Sequence, residues 1–294
     1  MDEFSKKPVL KQETKRDLPQ ESPATSSRRR FLGIGVAAAV AGLTGFGAGV
    51  RFSEQPKEPL LKPVQPAQPV QRPREPLGSR KFKARNRAIL QRHNEQTREV
   101  VERLRLKYHN AVFGKARVWD LIEKLAFCVD ETDQSLYCTS QFVHVQQVLA
   151  AMEQDGIEEH DLFLAALLHD LGKVTLLTDE LPENVLCSAV PIGEATHGAG
   201  LDRVIYQFCH GEIVYSRLKD HVPDHIAWVL RYHNISIEKS APYMNERDRT
   251  YTAKYLTTFQ KYDRGFKSYA SMPQIDLKKY RDLIEQTFPN PILF

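Results

Sequence analysis

From Lys81 to the C-terminus, apolar residues recur at intervals of three and four, and runs that alternate with period two are almost absent. A chain patterned this way buries its apolar surface by packing helix on helix, so an all-α bundle is expected. The spacing predicts helices over residues 88–108, 118–127, 140–154, 159–171, 201–219, 224–233, 247–262 and 276–287. Gly172 reads as the stop of the fourth, and Pro223 followed by Asp224 reads as a break and a fresh start.

Upstream of this domain the composition changes twice. Residues 52–79 carry seven prolines (Pro56, Pro59, Pro63, Pro66, Pro69, Pro73 and Pro76) among Gln, Glu and Lys, which favours an extended spacer over a packed core. Before it, Ser27-Arg28-Arg29-Arg30-Phe31-Leu32-Gly33 resembles the twin-arginine export signature of bacteria. Residues 31–50 are apolar but rich in Gly and Ala, long enough to span a bilayer yet weakly hydrophobic for it. The expected organisation is a twin-arginine-like signal or membrane anchor over 1–50, a disordered Pro-rich linker over 51–80 and a catalytic domain over 81–294. Export would make the protein periplasmic or membrane-anchored; the alternative is a cytoplasmic protein with a basic tail.

The formal charge of +4 belongs to the N-terminal segments. Residues 1–80 hold 14 Lys and Arg against 8 Asp and Glu, leaving 27 against 29 for the remainder. With no positive excess to neutralise phosphates, a nucleic-acid partner is not expected. Four cysteines, Cys128, Cys138, Cys187 and Cys209, form no CxxC pair, which argues against a disulfide framework or a thiolate zinc site.

The histidines carry the chemistry. His169-Asp170 ends an apolar helix whose rows, Leu162, Ala165, Ala166 and Phe163, Ala166, Leu167, lead to each of the two residues. His144 lies beside the stripe Phe142, Val145, Leu149, Met152; His233 closes the row Ile226, Val229, Leu230; Asp263 extends Leu256 and Phe259. His210 is read within a helix whose inward candidates are Val204, Ile205 and Ile213. One histidine on an apolar face is most often a hydrogen-bonded core residue. Four on different helices, with two aspartates, point to a metal site built from facing helices. Six ligands exceed the needs of one tetrahedral zinc and suffice for two ions sharing a carboxylate, and a thiolate-free nitrogen and oxygen set suits iron. His221 and His225 have metal-pair spacing but straddle Pro223, while His93, His109, His160 and His197 have no apolar row behind them.

The order of these motifs resembles the myo-inositol oxygenase family from about His93 to the C-terminus. The resemblance rests on Gln96-Thr97, Val129-Asp130-Glu131-Thr132-Asp133, Phe142-Val143-His144, residues 167–173, His210-Gly211-Glu212, Arg231-Tyr232-His233 and Phe259 to Asp263 with Lys267. It implies an HD-type helical domain with a buried di-iron site. His144, His169, Asp170 and Asp263 would hold one iron, and Asp170 would bridge to a second held by His210 and His233. The implied activity is ring-cleaving oxidation of myo-inositol to D-glucuronate by O2 at a mixed-valent Fe(II)/Fe(III) pair in a monomeric catalytic domain. Lys173 and Asp170 would be catalytic, with Asp130, Lys173, Lys267, His233 and Asn234 on the substrate side. The departures fall in the substrate shell: Cys187-Ser188 stands near the family's Gly-Asp contact, Asn234 replaces its serine, and only Arg85 offers a counterpart for its N-terminal arginine. A different polyol or a phosphonate is therefore an alternative substrate. An HD-type phosphohydrolase, or a membrane-tethered scaffold with a degenerate site, is the alternative function.

Overall fold

The computed structural model describes residues 76, 78–137 and 139–294. The twin-arginine-like stretch, all but the end of the Pro-rich spacer, and Cys138 lie outside the described residues. Among the described residues, no helix is long and apolar enough to cross a membrane.

The domain is helical, as the periodicity predicts. Its α-helices are α1 (Arg80–Asn94), α2 (Arg98–Lys107), α3 (Val118–Lys124), α4 (Gln141–Gln154), α5 (His160–Leu168), α6 (His210–Leu218), α7 (Asp224–Tyr232), α8 (Ile237–Ser240), α9 (Glu246–Tyr251), α10 (Thr257–Gly265) and α11 (Leu277–Thr287). Two short strands, β1 (Lys115–Ala116) and β2 (Ile292–Leu293), pair antiparallel and fix the C-terminus beside α3. Helices α4, α5, α7 and α10 surround a core in which Val148, Leu149, Leu168, Leu230 and Phe259 are fully buried.

Three of the expected helices are interrupted. The single helix over 88–108 is two, broken at Glu95-Gln96-Thr97. Gln96 is buried there, donating to the carbonyls of Glu183 and Phe208 and accepting from the Phe208 amide, while the Thr97 hydroxyl caps α2. The helix over 201–219 is a 3-10 turn (Leu201–Arg203), an extended stretch, and α6. The Ile192 amide donates to Ile205 O and the Gln207 amide to Val190 O, so Val204 and Ile205 lie outside the helix and His210 is its first residue. The helix over 247–262 contains a π-helical turn, Thr252–Leu256, ahead of α10. Its wider turn changes the phase at which Phe259 and Asp263 face the core.

Gly172 is required for a reason other than ending a helix. The α-helix stops at Leu168, and the chain runs on as 3-10 turns over Leu171–Leu177. A Cβ at Gly172 would collide with the backbone of His210, nearer to its carbonyl oxygen than real Cβ atoms approach. Backbone on both sides of the clash cannot yield cheaply, so Gly172→Ala is expected to lower stability by about 1–3 kcal/mol. His210 would be displaced with it, which thermal unfolding and metal content measured together will detect.

Candidate metal centre

Six side chains converge at the centre of the bundle: His144 from α4, His169 and Asp170 just past α5, His210 at the start of α6, His233 just past α7, and Asp263 from α10. All are buried. Two sets lie close enough to share an ion each: His144 with His169 and Asp170, and Asp170 with His210 and His233. Asp170 belongs to both. Its Oδ2 lies 3.3 Å from His169 Nε2 and 3.8 Å from His144 Nε2, while its Oδ1 lies 3.3 Å from His210 Nε2 and 4.0 Å from His233 Nε2. Asp263 Oδ1 completes the first set, 3.0 Å from His144 Nε2 and 3.5 Å from His169 Nε2. The sequence-derived ligand set is thus brought together whole, although the periodic row assigned to His210 does not exist.

The tautomers test whether these residues suit a cation. His169 Nδ1 donates to Ala166 O at 2.9 Å, His210 Nδ1 to Val185 O at 2.7 Å, and His233 Nδ1 to Leu230 O at 2.9 Å. A carbonyl only accepts, so each Nδ1 holds a proton, and the neutral His210 and His233 rings turn the lone pair of Nε2 inward. Yet His210 Nε2 and His233 Nε2 stand 3.0 Å apart. Facing lone pairs repel unless a positive charge lies against both. Second-sphere carbonyls that orient metal-binding histidines do this same work, and the donor set fits divalent or trivalent iron. His144 differs, since its buried Nδ1 has no hydrogen-bond partner among the described residues.

The charges respond to burial first and to neighbours second. Burial holds the His144 and His233 rings below the ordinary histidine range, and burial together with Lys173 brings His210 down to about 4. Burial also disfavours a charged His169, but Asp170 and Asp263 outweigh it and lift that imidazole to about 9. An ion at this point would supplant that proton. Against the cost of burial, His169 and Lys173 keep Asp170 well below the usual carboxylate range, and Lys267 with His144 does the same for Asp263. Phe259 lies edge-on to His169 with ring centroids 5.3 Å apart, presenting hydrocarbon to the cluster.

A lysine–aspartate group adjoins the cluster. Lys173, 3% exposed, places its Nζ 3.0 Å from Asp130, 3.1 Å from Asp170 and 2.9 Å from Gln141 Oε1. Asp130 also accepts from the Thr132 amide and hydroxyl. Lys267 lies 3.0 Å from Asp133 and 3.7 Å from Asp263. Asn234 donates to Cys187 O and to Cys209 Sγ, each at 3.2 Å, and its buried Oδ1 has no partner among the described residues. Cys187 itself has φ +76°, the one non-glycine in the left-handed region among the described residues. A thiol-bearing side chain there costs about 1–2 kcal/mol in backbone strain. Nothing in the composition or periodicity marks that strain, nor the place of Gln141 beside Lys173. Arg85 pairs with Glu131 at 2.5 Å, half exposed. The lower-ranked histidines lie outside the cluster: His93 is a buried structural residue between the carbonyls of Glu183 and Ser188, and His225 pairs with Asp161 at 2.6 Å. A cavity of about 320 Å³ between α2 and α6 is lined by Arg105, Tyr108, Tyr215 and Arg217 and includes none of the six.

Comparison with known proteins agrees with the motif order. A family model described as myo-inositol oxygenase matches residues 83–195. The chain is 30% identical over 240 residues to a probable inositol oxygenase of Oryza sativa subsp. japonica, an alignment covering 67% of this chain and 76% of that protein. It is 29% identical to inositol oxygenase 1 of Arabidopsis thaliana, covering 68% and 76%, and 23% identical to inositol oxygenase of Danio rerio, covering 67% and 84%.

Proposed function

The chain belongs to the inositol oxygenase family, and from that membership we propose that its six converging side chains hold two iron ions with which it cleaves the ring of myo-inositol to D-glucuronate. It is an oxidoreductase that consumes O2 and oxygenates inositol. The observation that carries the two-ion reading is the Asp170 carboxylate, which turns one oxygen to each histidine pair. The phosphohydrolase alternative is not favoured by these relatives. Two irons of mixed valence supply Lewis acidity and electrons for O2.

The chain's own residues do the remaining work in this reading. Asp170 would be the ligand common to both ions, and it keeps its anionic form because His169 and Lys173 face it. Lys173 and Lys267 place positive charge beside the substrate's oxygens, favouring an alkoxide over a neutral hydroxyl. Asp130, His233 and Asn234 complete the substrate side, and Phe259 keeps water from the histidines. The decisive experiment is metal analysis of the purified protein with O2 uptake on myo-inositol. Close to two irons per chain, an antiferromagnetically coupled mixed-valent EPR signal and glucuronate as product are expected. Activity with zinc as the sole metal and no such signal would rule the reading out.

We also propose that the protein is exported by the twin-arginine route and resides in the periplasm or on the membrane. The support is the Ser27–Gly33 stretch with its weakly apolar sequel, followed by the Pro-rich spacer. That route carries folded proteins, which suits a centre loaded before export. Replacing Arg28 and Arg29 by lysine is expected to leave the protein in the cytoplasmic fraction. Wild-type protein found wholly in that fraction would refute export.

A further inference from the structure

We infer that Gln141 is a specificity-determining residue that binds a hydroxyl oxygen of the substrate through its side-chain amide. The inference rests on the polyol-oxygenase reading above and specifies how the substrate is held. Gln141 is the first residue of α4, three positions before His144, so the two share a helix face. It is completely buried. Its Oε1 accepts from Lys173 Nζ at 2.9 Å, and this fixes the amide's orientation, since the exchanged orientation would set donor against donor. Its Nε2 is left buried, with no hydrogen-bond partner among the described residues.

Buried side-chain amides are rarely left so, because the desolvated donor forfeits its hydrogen bonds to water. The neighbouring cation cannot take over the role. Lys173 has three N–H groups, and Asp130, Asp170 and Gln141 itself occupy its surroundings at 3.0, 3.1 and 2.9 Å. The Gln141 amide is therefore the neutral donor left beside this group, and what satisfies it must be an acceptor. An anionic acceptor such as a phosphonate would meet the Asp130 and Asp170 carboxylates next to Lys173. An uncharged hydroxyl would not. Asn234, just after His233, presents the complementary case: with Nδ2 committed to Cys187 O, its Oδ1 is a buried acceptor without a donor. One unpartnered amide donor and one unpartnered amide acceptor near the same centre suit a neutral polyol, whose hydroxyls both accept and donate.

The test uses the iron-loaded full-length enzyme with myo-inositol and the monodeoxy inositols that each lack one ring hydroxyl. Wild type is expected to lose tenfold or more in kcat/KM on the analogue missing the hydroxyl that Gln141 binds. In Gln141→Glu and Gln141→Leu that one penalty should vanish, with the others unchanged. Myo-inositol binding followed by calorimetry should weaken about tenfold in both variants, with KM rising more than kcat falls. Gln141→Glu keeps the acceptor for Lys173, so it guards against loss of folding in Gln141→Leu. Variants that lose kcat/KM evenly across all analogues would show that Gln141 merely supports Lys173, overturning the inference. So would a wild-type enzyme that uses every deoxy analogue as well as myo-inositol. A wild-type enzyme that neither binds nor oxidises myo-inositol is a different failure, seen before any variant is made: it overturns the substrate reading, and this inference falls with it.

Discussion

Replacing Lys173 by methionine is expected to destabilise the protein by about 3–5 kcal/mol, the usual cost of stripping one partner from a buried ion pair. The ammonium is 3% exposed and lies within 3.1 Å of two carboxylates, Asp130 and Asp170, that are themselves buried. Methionine fills a similar volume but leaves both anions facing hydrocarbon. Metal ions would compensate Asp170 in the loaded protein, whereas Asp130 would stay unpaired in either state. Denaturant unfolding of loaded and chelator-treated protein should therefore show a loss in both, larger in the treated sample. Turnover of myo-inositol should fall with it. A lysine read only as a charge near a helix end would be worth about 0.3–1 kcal/mol, so an unfolding midpoint close to wild type would exclude the buried clamp described here.

Asp170→Asn is expected to have the largest effect on the centre itself. The carboxamide has the shape of the carboxylate but one oxygen fewer and no charge, so it cannot face both histidine pairs as an anion. Metal content should drop from about two ions per chain to one or none, and O2 uptake with inositol should be abolished. Asp155→Asn serves as the control, since Asp155 forms an exposed pair with Lys261 at 2.6 Å, where little is at stake. Should Asp170→Asn keep two ions and normal uptake, the shared-carboxylate arrangement would be wrong.

The parts of this molecule legible in its sequence are those that periodicity governs. His144, His233 and Asp263 could be placed because each lies beside or at the end of an apolar row that a helix must bury, and each falls within such a helix or just past its end. His210 was legible as a candidate but for a mistaken reason. Its supposed neighbours Val204 and Ile205 belong to an extended stretch held by the backbone of residues 190–192, a pairing no local pattern announces. The break at Gln96 is hidden in the same way, because it depends on carbonyls about 90 and 110 positions away. Lys173 looks like a helix-end charge until Asp130 and Gln141 are brought against it. Gly172 looks like a helix stop until the His210 backbone is seen pressing on it. The substrate side is least legible because its residues are set by such crossings and not by rows.

The carbonyls that hold His169, His210 and His233 have a consequence for how the centre is filled. Two of the three belong to the preceding helical turn, Ala166 O and Leu230 O, and the third, Val185 O, to a fixed loop. The rings are aimed as soon as the backbone forms, so the entropy of ordering the ligands is spent during folding and not during capture of the ions. Apoprotein should then take up iron reversibly, without refolding. Exchange of metal would be limited by passage through the packed helices above the site, which makes supply and access, more than rearrangement of the protein, the determinants of which ions it carries.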